Sequence, residues 1–283
     1  MKNIEKLEKK SKKTQKINDL NFNFKKNLGQ NFIFDTNLLK AIVSDGEVGK
    51  DDLVIEIGAG AGSLTKELAQ VSKKVISFEI DKTLIPTLKN LAKEYNNIEF
   101  HFSDFMDCDI DNLFVGKAKV VANIPYYITT PIVFKLVDHI KKFDSILLLV
   151  QKEVAIRFAS ECSRKDYGIT SVILQSIFDI SIPRIVKKEC FIPAPKVDSA
   201  LCKLVPHKKY NIENFYEFKK FVHLAFSMRR KTLINNLKSE YSKESVSLAL
   251  NKLGYLETIR PEQISVENFI KIFEFLNKTY KNA

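Results

Sequence analysis

The sequence predicts an α/β domain of alternating strands and helices, followed by a smaller all-helical domain. Three observations support this fold class. Short apolar runs suited to buried strands alternate with segments of helical periodicity along most of the chain. A glycine-rich loop follows the first clear strand and leads directly into a helix. From about Pro206 onward, the strand-like runs stop and helical periodicity continues.

The predicted elements follow one another in the order of a βαβ succession. Strand-like runs cover residues 52–57, 75–79, 98–102, 119–122 and 145–151. Helical patterns in this part cover residues 64–71, 84–95, 131–140, 153–162 and 168–176. Two further runs, 178–186 and 198–205, are expected to pair antiparallel at the edge of the sheet. The C-terminal helices are predicted over residues 216–226, 232–237, 245–253 and 266–276.

The loop after the strand at residues 52–57 has the spacing G-x-G-x-G, formed by Gly58, Gly60 and Gly62. Glycines let the backbone approach a ligand closely and adopt positive φ, and the helix that follows offers free N–H groups. The dinucleotide fingerprint G-x-G-x-x-G would need glycine where this chain has Ser63, so a nicotinamide dinucleotide is disfavoured. Gly58 and Gly60 are therefore candidates for contact with a different ligand.

Polar side chains end the next three strands. Glu79 comes about twenty positions after the loop, where a carboxylate can bind both hydroxyls of a ribose. Asp104 follows the third strand and is well placed to accept from an adenine amine, and Asn123 ends the fourth. Each alone is more often a cap or a solvated turn. Because the carboxyl ends of strands in an open α/β sheet share one edge, we expect all four features to form one site.

The tetrapeptide Asn123–Tyr126 (NIPY) suits the alkylation of an exocyclic base amine, whose nitrogen is a poor nucleophile. The Asn123 amide oxygen and the carbonyl of Ile124 or Pro125 can accept hydrogen bonds from the amine, so that the nitrogen becomes pyramidal. Tyr126 offers a flat face for an unstacked base. On the tetrapeptide alone, a proline turn with a core tyrosine is equally consistent.

Several segments together resemble the ribosomal RNA adenine N6-dimethyltransferases, over roughly residues 25–270. They are KKNLGQNFIFDT (25–36), EIGAGAGSLT (56–65), FEID (78–81), NIPYYITTPI (123–132) and FIPAPKVDSALCKL (191–204). The run AFSMRRKTLINNL (225–237) is similar to the branch that modifies small-subunit (16S) RNA rather than the macrolide-resistance branch that modifies large-subunit RNA.

The resemblance implies a Rossmann-like, seven-stranded methyltransferase domain with S-adenosylmethionine (AdoMet) as methyl donor, and a helical domain that engages RNA. The implied activity is N6,N6-dimethylation of two adjacent adenosines near the 3′ end of small-subunit rRNA, on an immature small subunit. The resemblance implies that the cofactor is contacted by Asn31, Ile33, Gly58, Glu79, Asp104 and Asn123. Gly60, in the same glycine loop as Gly58, is a further candidate for this contact. Implied base-positioning residues are Asn123, Pro125 and Tyr126, with Phe191 as a second stacking face.

Some positions depart from the family pattern or have simpler explanations. Tyr127, Ile33 and Ala59 stand where the family usually has Asn, Leu and Pro. The changes at Ile33 and Ala59 are expected to alter packing only, whereas Tyr127 could compete with Tyr126 as an aromatic wall. Without the resemblance, Phe191 would be read as a core aromatic before a Pro-x-Pro turn.

Two alternative functions are consistent with the same sequence. One is a ribosome-assembly factor that acts mainly by binding immature small subunits. The other is methylation of large-subunit RNA, against which the basic run at 225–237 argues. Within that run, Arg229, Arg230 and Lys231 precede a helix and are expected to contact the rRNA backbone, because arginine can clamp phosphate with two hydrogen bonds.

Composition agrees with an RNA-binding protein that is not a membrane protein. The net charge of +11 is the usual footprint of a nucleic-acid partner. No apolar run approaches the ~18 residues of a membrane span, and the lysine-rich start lacks the apolar core of a secretory signal. Histidines 101, 139, 207 and 223 and cysteines 108, 162, 190 and 202 lack metal-ligand or disulfide spacing. We therefore expect a cytoplasmic, metal-free protein, and nothing demands more than a monomer.

These observations divide the chain into three parts: a basic tail over 1–20, the methyltransferase domain over 21–206 and the helical domain over 207–283. The first 19 residues hold seven lysines against Glu5, Glu8 and Asp19, a net charge of +4. We expect the tail to be mostly disordered. A solvated extension is the simpler interpretation, and an arm that grasps RNA is the alternative.

Overall fold

A computed structural model of the protein describes residues 29–281, with side chains through Lys278. Its centre is a seven-stranded sheet, as the resemblance implies. The strands in chain order are β2 (Leu53–Ile57), β3 (Lys74–Phe78), β4 (Ile98–His101), β5 (Ala118–Asn123), β6 (Phe143–Gln151), β7 (Phe178–Val186) and β9 (Ser199–Pro206). Their order across the sheet is β4-β3-β2-β5-β6-β9-β7. The first five strands in this order are parallel to one another, and β9 runs antiparallel to both its neighbours. The predicted antiparallel pair at the edge is confirmed.

Helices cover the sheet and form the C-terminal region. Those within the α/β part are α1 (Thr36–Asp45), α2 (Ser63–Ala69), α3 (Ile85–Glu94), α4 (Ile110–Leu113), α5 (Thr129–Asp138), α6 (Lys152–Ala159) and α7 (Ile169–Gln175). The C-terminal helices are α8 (Phe215–Ala225), α9 (Leu233–Leu237), α10 (Lys243–Lys252) and α11 (Val266–Lys281). Every predicted helix is present, with bounds that shift by a few residues.

Helix α1 and a small second sheet were not predicted. The side chain of Asp35 caps α1 by accepting from the N–H groups of Asn37 and Leu38 at 3.0 and 3.3 Å. This cap signal stands in the sequence and would have located the helix. The second sheet pairs β1 (Phe32–Ile33) with β8 (Phe191–Ile192) in antiparallel fashion. Two residues per strand are too few to show a periodicity, so no sequence pattern indicated it.

The strands are apolar on both faces because helices cover both sides of the sheet. Val54 and Val75 pack into the cluster that contains α1 and α2, whereas Ile55, Ile76 and Val120 pack into the cluster on the other face. This alternation along neighbouring strands sets the register of the sheet, since a slip of one residue would exchange the two faces.

The core of the C-terminal helices extends back across the predicted boundary at residues 206 and 207. Val172 and Ile173 of α7 belong to that core, while Leu174 belongs to the core of the sheet. The Tyr167 hydroxyl donates to the carbonyl of Ile264 at 2.8 Å, which ties the loop before α7 to the C-terminal region. Residues on both sides of the predicted boundary therefore belong to the core of the C-terminal helices, and the division into these domains stays a prediction. The predicted tail over residues 1–20 lies outside the described residues.

Candidate functional site

One cavity lies at the carboxyl edge of the parallel strands, where the sequence predicted a site. The predicted residues that line it are Asn31, Ile33, Gly58, Gly60, Glu79, Asp104, Asn123 and Pro125. They come from the ends of β2, β3, β4 and β5 and from the segment that contains β1. The ends of these strands thus line one cavity. Ile33 and Ala59 are 4% and 5% exposed, in agreement with a packing role at these two positions.

The glycine loop is fixed to the strand beside it. The N–H groups of Gly58 and Ala59 both donate to the carbonyl of Phe78, at 2.8 and 3.0 Å. Gly58 and Gly60 have φ of +84° and +56°, in the left-handed region that favours glycine. A Cβ at Gly60 would lie 2.7 Å from the ring of Phe32, so no other residue fits without displacing that ring.

Glu79 holds the same loop from the end of β3. Its Oε2 accepts from the N–H of Gly60 and its Oε1 from the N–H of Asp81, each at 2.7 Å. The side chain is buried, and this burial raises the pKa of Glu79 despite the two backbone donors, which act in the opposite direction. Each oxygen keeps a second lone pair, so the carboxylate can still accept from hydroxyl groups of a ligand.

Asp104 lines the cavity and uses one of its carboxylate oxygens locally. Its Oδ1 accepts from the N–H of Met106 at 2.8 Å and so caps the short 3-10 turn Phe105–Asp107. No partner of its Oδ2 is found among the described side chains and backbone. That oxygen is therefore available to accept from an amine, as the sequence predicted.

Asn123 has a defined orientation at the end of β5. Its amide nitrogen donates to the backbone carbonyl of Asn31 at 2.9 Å. Because a carbonyl can only accept, this contact assigns the nitrogen to Asn31 and leaves the Asn123 Oδ1 as the free group. The free oxygen is the acceptor that the predicted chemistry needs.

The backbone acceptors of the NIPY turn are not equivalent. The carbonyl of Pro125 already accepts from the N–H of Ile128 at 3.2 Å. Within residues 29–281, no turn or loop hydrogen bond reaches the carbonyl of Ile124. Of the two carbonyls that the sequence left open, that of Ile124 is the better second acceptor.

The aromatic residues lie differently from the sequence expectation. Tyr126 is partly buried and absent from the cavity lining, and its hydroxyl makes a 2.5 Å hydrogen bond to Ser199 Oγ. Burial raises the pKa of Tyr126. Tyr127 lines the cavity, is 64% exposed and lies against Gly29. The open aromatic face in this structure is therefore that of Tyr127.

Phe191 is a core residue here. It pairs with Ile33 in the small sheet and is only 2% exposed. It belongs to the same hydrophobic cluster as Leu39 and Ile42 of α1 and does not line the cavity. This corrects the expectation of an open second stacking face: the placement agrees with the simpler alternative, a core aromatic before a Pro-x-Pro turn. A stacking role would require the ring to leave this position.

Sequence reasoning missed two buried carboxyl groups near the site. Asp81 is 2% exposed, and its Oδ2 accepts from Gln30 Nε2 at 2.8 Å, which links FEID to the segment before β1. Glu56, in β2, is fully buried, and its Oε2 accepts from Thr65 and Ser77 at 2.6 Å each. Burial raises the pKa of Glu56 to about 8. An acidic residue inside the apolar run LVIEI was the available signal.

Arg229, Arg230 and Lys231 are exposed in the turn between α8 and α9. Within the described part of the chain, none of the three side chains forms an ion pair or a hydrogen bond. The turn is held by Asn236, whose amide nitrogen donates to the carbonyl of Ala225 at 2.5 Å. The three cations are thus presented to solvent on a supported turn. Among residues 29–281, no cluster of His, Cys, Asp and Glu suited to a metal ion is found.

A family model described as "Ribosomal RNA adenine dimethylase" matches residues 21–278. The chain is similar to "Ribosomal RNA small subunit methyltransferase A" of Clostridium acetobutylicum, with 41% identity over 264 residues that cover 91% of this chain and 95% of that relative. The protein of the same name from Latilactobacillus sakei is 40% identical over 270 residues, which cover 91% of each chain.

Two solved structures have the same architecture. A dimethyladenosine transferase from Plasmodium falciparum superimposes with a TM-score of 0.77 at 28% identity, covering 88% of this chain and 98% of that one. The 23S rRNA methyltransferase ErmE superimposes with a TM-score of 0.70 at 27% identity, covering 87% and 100%. A structure named for 23S rRNA therefore shares the fold of a chain whose relatives are named for the small subunit, so the fold alone does not select the substrate.

Proposed function

Because the chain belongs to the ribosomal RNA adenine dimethylase family, we propose that it dimethylates N6 of two adjacent adenosines near the 3′ end of small-subunit (16S) rRNA. The methyl donor is S-adenosylmethionine. The observation that carries the proposal is the single cavity that joins the glycine loop, Glu79 and Asp104 to the Asn123 turn. Its lining combines groups that suit a nucleoside, namely the glycine loop, Glu79 and Asp104, with acceptors at Asn123 and Ile124 that suit a base amine. The relatives named for the small subunit support the choice of RNA.

The residues present fit AdoMet. The positive φ of Gly60, and the Phe32 ring that excludes a Cβ there, form a close backbone cradle. Glu79 can accept from ribose hydroxyls and Asp104 Oδ2 from the adenine amine. When bound, AdoMet supplies an electrophilic methyl group on a positively charged sulfur, so the protein needs no strong base. The work of the chain is to position the amine and exclude water.

The base amine is held by neutral acceptors. Asn123 Oδ1 and the carbonyl of Ile124 can each accept one amine proton, which directs the nitrogen lone pair away from the ring. Each transfer would break the bond between sulfur and methyl, release S-adenosylhomocysteine and leave the nitrogen cationic until it loses one proton to solvent. A single proton then remains after the first methylation, and either acceptor can still hold it. A pocket with two neutral acceptors is therefore compatible with two successive transfers. In this proposal Tyr126, whose hydroxyl is bonded to Ser199, and Phe191 supply stacking faces only if their rings open to the cavity, which Tyr127 already lines.

Replacing Gly60 with alanine tests the cradle. The Cβ would lie 2.7 Å from the Phe32 ring, so either the loop or the ring must shift. We expect AdoMet affinity, measured by calorimetry, to fall by roughly tenfold or more, equivalent to about 1.4 kcal/mol or more. Gly116→Ala is the matched control, because Gly116 also has positive φ but nothing within 4 Å of its Cβ position. Equal affinities in the two variants would contradict a close approach at Gly60.

RNA engagement by the helical domain is tested at the α8–α9 turn. We expect alanine at Arg229, Arg230 or Lys231 to weaken binding to unmodified small subunits. The slope of log affinity against log salt should become shallower by about one for each lost phosphate contact. Lys89→Ala, at an exposed site on α3, is the control. Unchanged affinity and slope in all three variants would remove the turn from the RNA interface.

We further propose that the partner is the immature small subunit and that the protein acts in the cytoplasm as a metal-free monomer during ribosome biogenesis. None of the helices among residues 29–281 is long and apolar enough to cross a membrane. For the basic tail over residues 1–20, which lies outside the described residues, the two hypotheses are no contact with RNA and an arm that grasps RNA. Its removal should leave AdoMet affinity unchanged in both cases and lower subunit affinity only in the second.

The decisive assay is methyl transfer from radiolabelled AdoMet to unmodified small subunits, to unmodified large-subunit RNA and to non-RNA controls. The product is then digested to nucleosides. Dimethyladenosine confined to the small subunit is the expected result. Label on large-subunit RNA would replace the proposed substrate. Absence of label with intact subunit binding would favour an assembly factor, and Tyr127 would then be the first residue to exchange.

A further inference from the structure

Lys135 of α5 makes two hydrogen bonds beside the cavity that the mechanism above does not use. Its Nζ donates to the carbonyls of Met106 and Cys108 at 2.6 and 2.7 Å, and it lies 5.7 Å from the centre of the Phe105 ring. We propose that Lys135 is a positioning residue that holds Asp104 where its carboxylate reads the adenine amine of the methyl donor. The inference rests on the proposed function, because it assumes AdoMet in this cavity.

The Asp104 loop depends on contacts from elsewhere in the fold. The hydrogen bonds within the turn are local: the Asp107 N–H donates to the Asp104 carbonyl and the Cys108 N–H to the Phe105 carbonyl, at 3.2 and 3.1 Å. Such bonds shape the turn but do not fix its position relative to the sheet. Phe105 provides one anchor, since its ring packs edge-on against Phe78 at 5.2 Å. Lys135 provides a second anchor, from a different element and on the far side of the turn.

The position of α5 gives this anchor its functional meaning. The helix begins at Thr129, directly after the NIPY turn, and its residue Ile132 lines the cavity together with Asp104 and Phe105. Lys135 therefore joins the loop that reads the adenine to the helix that follows the base-positioning turn. An ammonium group that is partly buried and donates to two carbonyls forms strong, directional hydrogen bonds. Without it, the two carbonyls lose their partner and the loop loses its link to α5.

The chain contains a matched control in Lys142. Its Nζ likewise donates to two carbonyls, those of Asp111 in the short helix α4 and of Phe114 directly after it, at 3.0 and 2.8 Å, and lies 4.7 Å from the centre of the Phe114 ring. Neither Asp111 nor Phe114 lines the cavity. The two lysines thus perform the same local task, but only Lys135 performs it beside Asp104. A general need for loop anchoring would affect both variants alike.

The test measures binding without RNA, by calorimetry, with S-adenosylhomocysteine and with S-inosylhomocysteine, in which an oxygen replaces the adenine amine. For Lys135→Met we expect roughly tenfold weaker binding of the adenosyl ligand, or about 1.4 kcal/mol. Binding of the inosyl ligand should change much less, so the preference for the adenosyl ligand over the inosyl ligand falls. Lys142→Met should retain the wild-type preference. Lys135→Arg should restore most of it, because a guanidinium can donate to both carbonyls.

Turnover gives a second readout. The KM for AdoMet should rise in Lys135→Met while kcat on saturating donor changes less than about twofold, as expected when ground-state and transition-state binding weaken equally. An unchanged preference in Lys135→Met, or an equal loss for both ligands, would overturn the positioning role. If Lys135→Met does not fold, Lys135→Gln supplies the same comparison. Failure of the wild-type protein to bind either ligand would instead count against the proposed function.

Discussion

Replacement of Asn123 with alanine is expected to lower methyl transfer by at least ~100-fold, in the range found when a group that acts on the transition state is removed. The change deletes the free Oδ1 acceptor and also the hydrogen bond to the Asn31 carbonyl. The base amine then lacks one of its two proposed acceptors, and its lone pair remains in conjugation with the ring. Asn123 lies inside the cavity and not on the exposed surface. Its loss should therefore leave binding to small subunits nearly intact. Single-turnover transfer and subunit binding are the two measurements.

Two further variants separate the parts of this effect. Asn123→Asp keeps an acceptor at the same place but removes the donor to Asn31, so it reports on orientation rather than on acceptance. Asn90→Ala, at an exposed position on α3, should behave as the wild type. Wild-type turnover in Asn123→Ala would show that the base-positioning role is wrong. Equal losses of turnover and of subunit binding would point to damage of the fold.

Replacement of Glu56 with glutamine is expected to remove a large pH dependence of stability. Burial raises the pKa of Glu56 to about 8 from the ordinary 4.5. The folded protein therefore keeps this proton over a range where the unfolded chain has lost it. The resulting stabilisation is complete below about pH 4.5 and is lost as the pH rises through about 8. At 1.36 kcal/mol for each pKa unit, the whole change is on the order of 5 kcal/mol.

The measurement is the free energy of unfolding in urea at pH 5.5 and pH 8.5 for the wild type and for Glu56→Gln. Glutamine does not titrate, and its amide oxygen can still accept from Thr65 and Ser77. The free energy of unfolding of the variant, relative to that of the wild type, should therefore be higher at pH 8.5 than at pH 5.5. Glu94→Gln, at an exposed position on α3, controls for the general loss of a carboxylate. A difference independent of pH would show that Glu56 ionises normally.

The cofactor side of the site was predictable because its residues lie at strand ends. Glu79, Asp104 and Asn123 each follow an apolar run, and parallel strands place such ends at one edge whatever the details of packing. The interpretation of strand-like runs also located the antiparallel pair at residues 178–186 and 198–205. It could not locate the small sheet of β1 and β8, whose strands lie far apart in the sequence.

The aromatic side of the site was less predictable. Phe191 and Tyr126 both belong to motifs that suit stacking. However, Phe191 lies in the hydrophobic cluster that contains residues of α1, and the Tyr126 hydroxyl is bonded to Ser199. Ring orientation in such turns depends on which distant element packs against them, and no local periodicity encodes that choice. Tyr127, a departure from the family pattern, is the ring that lies open at the cavity.

By itself, the sequence determined the α/β architecture, the position of the site and the identity of its polar groups. These follow from burial patterns along single strands and helices, which neighbouring residues create. Only the tertiary structure decided which atom of Asn123 is free, that Glu56 is buried with a raised pKa and that Lys135 donates to two carbonyls of the segment after Asp104. Each of these depends on hydrogen bonds or burial imposed by segments remote in the chain, which exist only once the fold brings them together.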